Sequence, residues 1–161
     1  FRSPKPWSLT TAAVAEQLYN ALIVWSSEKS LTITPTSLPF FRQFLPSAKT
    51  GTYKSSSSTY KTLIPAIKAF ADGFIRVVAE YTPADGALSE QYHRNNGTQT
   101  SAKHLTWSYA SILTADAARK GLAQPPWGAK GIKVPKVCKT NLGPTVRITF
   151  NLNAETIFGG A

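Results

Sequence analysis

Apolar residues recur at helical spacing in four stretches of the chain. From Ser8 to about Ser26, Ala15, Leu18, Leu22 and Trp25 share a face, and Ser8 can cap the start. Residues 36 to 45 form a shorter candidate, with Thr36 as cap and Leu38, Phe41 and Leu45 inward. The third is the most regular: Leu63, Ile67, Phe70, Phe74, Val77 and Tyr81 make an apolar stripe. Pro65 fits that helix only in its first turn, which predicts a start near Thr62 or a kinked helix. The fourth runs from about Ser101 to Lys120, with Leu105, Tyr109, Ile112 and Leu113 inward and Gly121 as the stop.

Other stretches break this period. "GTYKSSSSTYK", residues 51 to 61, reads either as a flexible or O-glycosylated linker or as an ordered loop packed on Tyr53 and Tyr60. After Gly121, "QPPWGAKGIKVPKVCK" is punctuated by Pro and Gly and reads as a linker. "TVRITFNLNA" then alternates, with Val146, Ile148, Phe150 and Leu152 on one face, and predicts a half-buried strand. It is the one convincing strand by pattern, and a lone strand predicts a second domain that begins here.

The composition is that of a globular domain, 42% hydrophobic and 16% charged over 161 residues. No apolar run approaches the length of a membrane span, so a soluble protein without a membrane partner is expected. Met is absent even at position 1, which predicts a processed or excerpted chain. Cys138 is the only cysteine, and Asn96-Gly97-Thr98 is an N-glycosylation acceptor that leans toward the secretory route. The net charge of +10 raises nucleic acid as a partner. The bases are spread, however, and Lys120, Lys130, Lys133, Lys136 and Lys139 lie in the linker-like stretch. With no nucleic-acid-binding signature, a solvated basic surface is the better reading.

Phosphate loops, the G-x-S-x-G elbow and HExxH are all missing, and His93, His104 and one cysteine do not make a metal site. What remains is a carboxylate among aromatics. Glu90 stands in "GALSEQYHRNNGT" beside Ser89, Gln91 and Tyr92, with Trp7 and Trp107 elsewhere. Glycoside hydrolysis needs two carboxyl groups, and aromatic faces cover sugar rings. By itself, a glutamate between two turns is usually solvated.

Together, "PWSLTTAAVAEQLYNAL", "TGTYKSSSSTY", "FADGF", "LSEQY" and "LTWSYASILTA" resemble the C-terminal part of the fungal glucoamylases of glycoside hydrolase family 15. The resemblance covers about residues 4 to 128, closing at "PPWG". It implies an all-α fold, the last helices of a partial (α/α)6 barrel. Residues 1–128 would belong to the catalytic domain and 129–137 to a linker. Residues 138–161 would carry the first strand of a β-sandwich starch-binding domain, in which Cys138 pairs with a later cysteine of the family.

Residue by residue, the resemblance implies that Glu90 is the general base activating the attacking water, and that Ser101 hydrogen-bonds it. Trp7 corresponds to a subsite tryptophan and Trp107 to one beside the base, with Gln91 and Tyr92 as neighbouring substrate-binding residues. From its helical position alone, Trp107 is at least as well explained as core. The implied substrates are starch and maltooligosaccharides, the location extracellular, and no metal or organic cofactor is required. The family's general acid lies upstream of Phe1, and no motif marks Asp72, Asp85, Asp116 or Glu155 as a substitute. The chain alone is therefore expected to need the N-terminal part of the barrel and to be inactive. The rival expectation is a non-catalytic carbohydrate-binding or cationic interaction fragment. Phe1-Arg2-Ser3-Pro4-Lys5, Pro65, His93 and His104 depart from the family pattern and bear on subsites and pH profile.

Overall fold

The computed structural model describes residues 5–122, in which helices α1 (Ser8–Glu28), α3 (Ser58–Glu80) and α4 (Thr106–Arg119) pack around one core. Between them lie the short helix α2 (Leu38–Arg42) and four short strands, β1 (Ser30–Ile33), β2 (Gly51–Lys54), β3 (Gln91–Tyr92) and β4 (Gln99–Thr100). The expected linker, the strand from Val146 and Cys138 lie outside the described residues.

α1 packs against both α3 and α4. Ala12, Ala15, Ala71, Ala115 and Ala118 are all buried at these contacts. Small side chains let the helix backbones approach closely, and Tyr19, Ile75, Val78, Leu88 and Ile112 fill the space around them. Ser8 does not cap α1. It is the first helical residue and is buried, while the cap position belongs to Trp7, whose carbonyl accepts the Thr11 hydroxyl at 2.8 Å.

α3 begins at Ser58, not Thr62, because Ser57 caps it: the Ser57 Oγ accepts from the Tyr60 N–H at 3.3 Å. Pro65 therefore sits inside the helix, where its missing N–H and ring bulk cost about 3 kcal/mol in an exposed host position. The buried line is Leu63, Ile67, Ala71, Ile75 and Val78. The stripe expected from Phe70, Phe74, Val77 and Tyr81 runs beside it, and Phe70 is 41% exposed. Phe70 instead joins an edge-to-face series with Phe44 and Phe74, at 5.3 and 5.1 Å between centroids.

A second cluster gathers Leu31, Ile33, Phe41, Ala48, Leu63 and Ile67 under an antiparallel β1–β2 ribbon. Leu31 and Ile33 point inward, while Thr32 and Thr52 share a hydroxyl hydrogen bond of 2.9 Å outside. The serine-rich stretch is thus ordered: it supplies β2, the cap of α3 and its first turn. α2 is shorter than expected and Ser37, not Thr36, stands at its start.

α4 begins at Thr106 rather than Ser101, since Ser101 has a left-handed backbone (φ 69°) that no helix continues from. Its end is as expected at Gly121 (φ 81°): the Gly121 and Leu122 N–H groups return to the Ala118 and Ala117 carbonyls at 2.9 Å each. Leu113, expected inward, is 54% exposed.

Candidate active site

Residues 88–92 run past the starts of α1 and α4, and their backbone groups are bonded on both sides. The Leu88 carbonyl accepts from the Leu105 N–H at 3.0 Å, and the Ser89 carbonyl from the Ser108 hydroxyl at 2.9 Å. Glu90 donates its N–H to the Ala102 carbonyl at 2.9 Å and accepts from the Ser8 N–H at 3.3 Å. Gln91 pairs with Thr100 across the β3–β4 ladder and with Trp7 on its other side. The Tyr92 N–H reaches the Pro6 carbonyl at 3.0 Å. This segment, regular only over Gln91–Tyr92, is held in a single path by these bonds.

The Glu90 side chain is half-buried, and the Ser101 hydroxyl donates to its Oε2. Ser101 reaches it because β4 ends at Thr100 and the backbone turns into the left-handed region at that serine. Trp7, Gln91 and Thr100 are direct cross-strand neighbours, and such neighbours present their side chains to one face. Lys5 touches the same edge, with its Nζ 3.4 Å from Thr100 Oγ1.

Of the residues expected at the site, the structure joins Glu90 to Ser101 and Trp7 to Gln91. Tyr92 is different: it is 7% exposed, its hydroxyl shares a 2.7 Å bond with Thr11, and its ring packs on Tyr81. It offers little surface to a ligand and acts as a strut between the hairpin and α1. Trp107, whose helical position alone suits the core, is 63% exposed in the first turn of α4. Asn96 lies at the exposed hairpin tip, its Oδ1 accepting from the Thr98 N–H at 3.1 Å.

Sequence reasoning missed the residues that fix this segment. Gln99 uses its amide nitrogen to bridge the Tyr81 and Ala87 carbonyls, at 3.0 and 2.8 Å. Thr11, Ser108 and Tyr109 supply hydroxyls from helices. No local pattern marks them, because each is defined by a partner far along the chain.

The other carboxylates of the described region have different environments. Asp85 is held below its ordinary range, first by the Ala87 N–H it accepts and then by Lys103 at 3.3 Å. Asp72 is buried between helices. Burial is the largest single influence and pushes it up, but hydrogen bonds from Tyr19, Lys68 and Arg119 together outweigh this and hold it low. A group meant to give up a proton needs a raised value, so neither is suited to be a general acid. Asp116 pairs with Lys120 at 2.6 Å. Among the described residues no group of His, Cys, Asp and Glu is placed to hold a metal ion, and no helix is long and apolar enough to cross a membrane.

A model of the glycosyl hydrolases of family 15 matches residues 2–117. Glucoamylase-1 of Schizophyllum commune is 52% identical over 159 residues, which cover 96% of this chain and 28% of that protein. The glucoamylase of Neurospora crassa is 56% identical over 124 residues, 77% of this chain and 20% of its own. A solved family 15 glucoamylase from Hypocrea jecorina superposes with a TM-score of 0.74 at 51% identity, over 84% of this chain and 23% of that one. The chain thus spans 20–28% of the length of these relatives.

Proposed function

The chain belongs to the glycosyl hydrolases of family 15, and from that premise we propose that it carries the general-base side of a glucoamylase active site. The parent reaction is removal of glucose from non-reducing ends of starch and maltooligosaccharides. Terminal α-1,4 bonds are cut, α-1,6 bonds more slowly, with release of β-D-glucose. Glu90 takes a proton from a water that attacks the anomeric carbon as the glycosidic bond breaks. The leaving oxygen is protonated from the other side of the sugar by an acid that this chain does not supply. One observation carries the reading: Glu90 is held through its side chain and its N–H by the adjacent residues Ser101 and Ala102, and through its carbonyl by Ser8 at the start of α1. A base must be held closely relative to its water, and bonds on both sides of Glu90 support that reading.

Trp7 and Gln91, joined side by side, are proposed as substrate contacts, with Trp107 as an exposed aromatic face near the start of α4. The proposal extends to a secreted glycoprotein whose residues from 138 onward begin a starch-binding domain. An exposed Asn96, with its acceptor Thr98 also exposed, is favourable for carrying a glycan. By itself the chain is proposed not to turn over.

The test compares the chain alone with the enzyme that includes it, before and after Glu90→Gln. The enzyme is expected to release β-glucose from maltose and to lose roughly 10²–10⁴-fold in kcat on substitution, while the chain alone releases none. Release of α-glucose, or unchanged turnover in Glu90→Gln, overturns the assignment of Glu90. Turnover by the 161-residue chain overturns the claim that a second carboxyl group lies elsewhere.

A further inference from the structure

Leu88 anchors the segment that leads into Glu90, and its N–H donates to the Tyr109 hydroxyl at 3.1 Å. The same hydroxyl oxygen is 2.8 Å from His104 Nδ1, and the two rings lie nearly parallel, 11° apart. An oxygen that accepts from Leu88 and has one proton to give donates it to His104. The network therefore places the imidazole proton on Nε2. The run from Leu88 N–H through the tyrosine to the imidazole is cooperative, each bond polarising the next. Leu88 is only 1% exposed, so water does not stand in for the tyrosine. His104 is exposed and free to exchange its proton with solvent.

We propose that Tyr109 is a positioning residue for Glu90, acting through Leu88, and that the protonation of His104 sets how firmly it holds. The proposal rests on the reading of Glu90 as the base. When His104 is protonated, Nδ1 becomes a donor. The tyrosine oxygen then accepts from both His104 and Leu88, and its own proton turns to solvent. Two bonds now compete for one oxygen, and the Leu88 bond weakens. The effect reaches Glu90 along a short path whose other anchors, Leu105 on Leu88 and Ser108 on Ser89, belong to the same stretch as His104 and Tyr109. The charged groups around His104 are Asp85, from the loop after α3, and Lys103, which pairs with it at 3.3 Å. From α4 the facing titratable group is Tyr109 itself.

The experiment is backbone-amide NMR and hydrogen exchange on the full chain across the histidine range. The Leu88 amide shift is expected to follow the His104 ring signals through the same pH series. Its protection factor should fall about tenfold from the neutral to the protonated side, the scale of one weakened buried bond. In Tyr109→Phe the Leu88 step disappears and protection at Leu88 and Glu90 is lost at every pH, while the His104 ring still titrates. His104→Gln changes an exposed side chain and keeps an acceptor for the tyrosine proton, so protection stays high and becomes independent of pH. A Leu88 amide indifferent to His104, or a pH step that survives in His104→Gln, overturns the proposal even if Tyr109→Phe fails to fold. These readouts need no substrate, so their failure is distinct from a failure of Glu90 to act as base.

Discussion

Ser101 donates its hydroxyl to Glu90 while standing in a left-handed backbone at φ 69°. A serine in that region costs roughly 1–2 kcal/mol relative to glycine. The hydroxyl and the backbone strain can be separated. Ser101→Gly removes both, and Ser101→Ala removes only the hydroxyl. Thermal melts should find the glycine variant more stable than the alanine variant by about 1 kcal/mol. Both should lower kcat of the enzyme by a similar factor, since both leave Glu90 without its donor.

Gly97 is fixed by its neighbour rather than by its turn alone. It has φ 69°, and a Cβ there would come within 2.0 Å of the Tyr81 ring, which packs on Tyr92 at 5.4 Å. Gly97→Ala should cost about 2–4 kcal/mol, the sum of overpacking and left-handed strain. Gly86, at φ 75° with open space around it, is the control. Gly86→Ala should cost only about 1 kcal/mol. Equal losses in denaturant melts would remove the ring contact from the account.

Asp72 is 7% exposed and accepts from Tyr19 at 2.6 Å, Arg119 at 2.8 Å and Lys68 at 2.9 Å. The same arrangement pushes the Tyr19 hydroxyl well above its ordinary range, first through burial and then through its bond to Asp72. Because Asp72 is held low in the folded chain, its stabilisation is fully present above the unfolded value of about 3.9 and is lost as pH falls through the folded value. Asp72→Ala should destabilise by about 2–3 kcal/mol at pH 7. That is less than a fully buried pair, because Arg119 keeps a quarter of its side chain in solvent. The gap to the parent chain should narrow below about pH 4.

Trp107 is mostly in water, so Trp107→Ala should change stability by no more than about 0.5 kcal/mol. If it contacts glucan, KM for maltooligosaccharides rises while the melting temperature holds. A large loss of stability would return Trp107 to a packing role.

The four helices, the stop at Gly121 and the family resemblance that singles out Glu90 and Ser101 are legible along the chain. Helical period and glycine stops are properties of neighbouring residues, so a linear pattern contains them, whereas the caps expected at Ser8 and Thr36 are not the ones used. Which of two adjacent stripes on α3 faces inward depends on packing against α1, which no stretch of α3 encodes. Ala71, Ile75 and Val78 are buried with Ala12 and Ala15 of α1, while Phe74 packs at the margin of that cluster and Phe70 is 41% exposed. The tertiary structure also set the β1–β2 and β3–β4 ladders, whose strands gain meaning from partners elsewhere in the chain, as Ser30 does from Lys54, and not from their own two to four residues. Glu90 follows the same rule. Its identity was legible in "LSEQY", but its fixation depends on Ser8, Ser101 and Ala102, which share no local pattern with it. A hydrogen bond across a fold is set by where both chains arrive, and one stretch of sequence specifies only its own end.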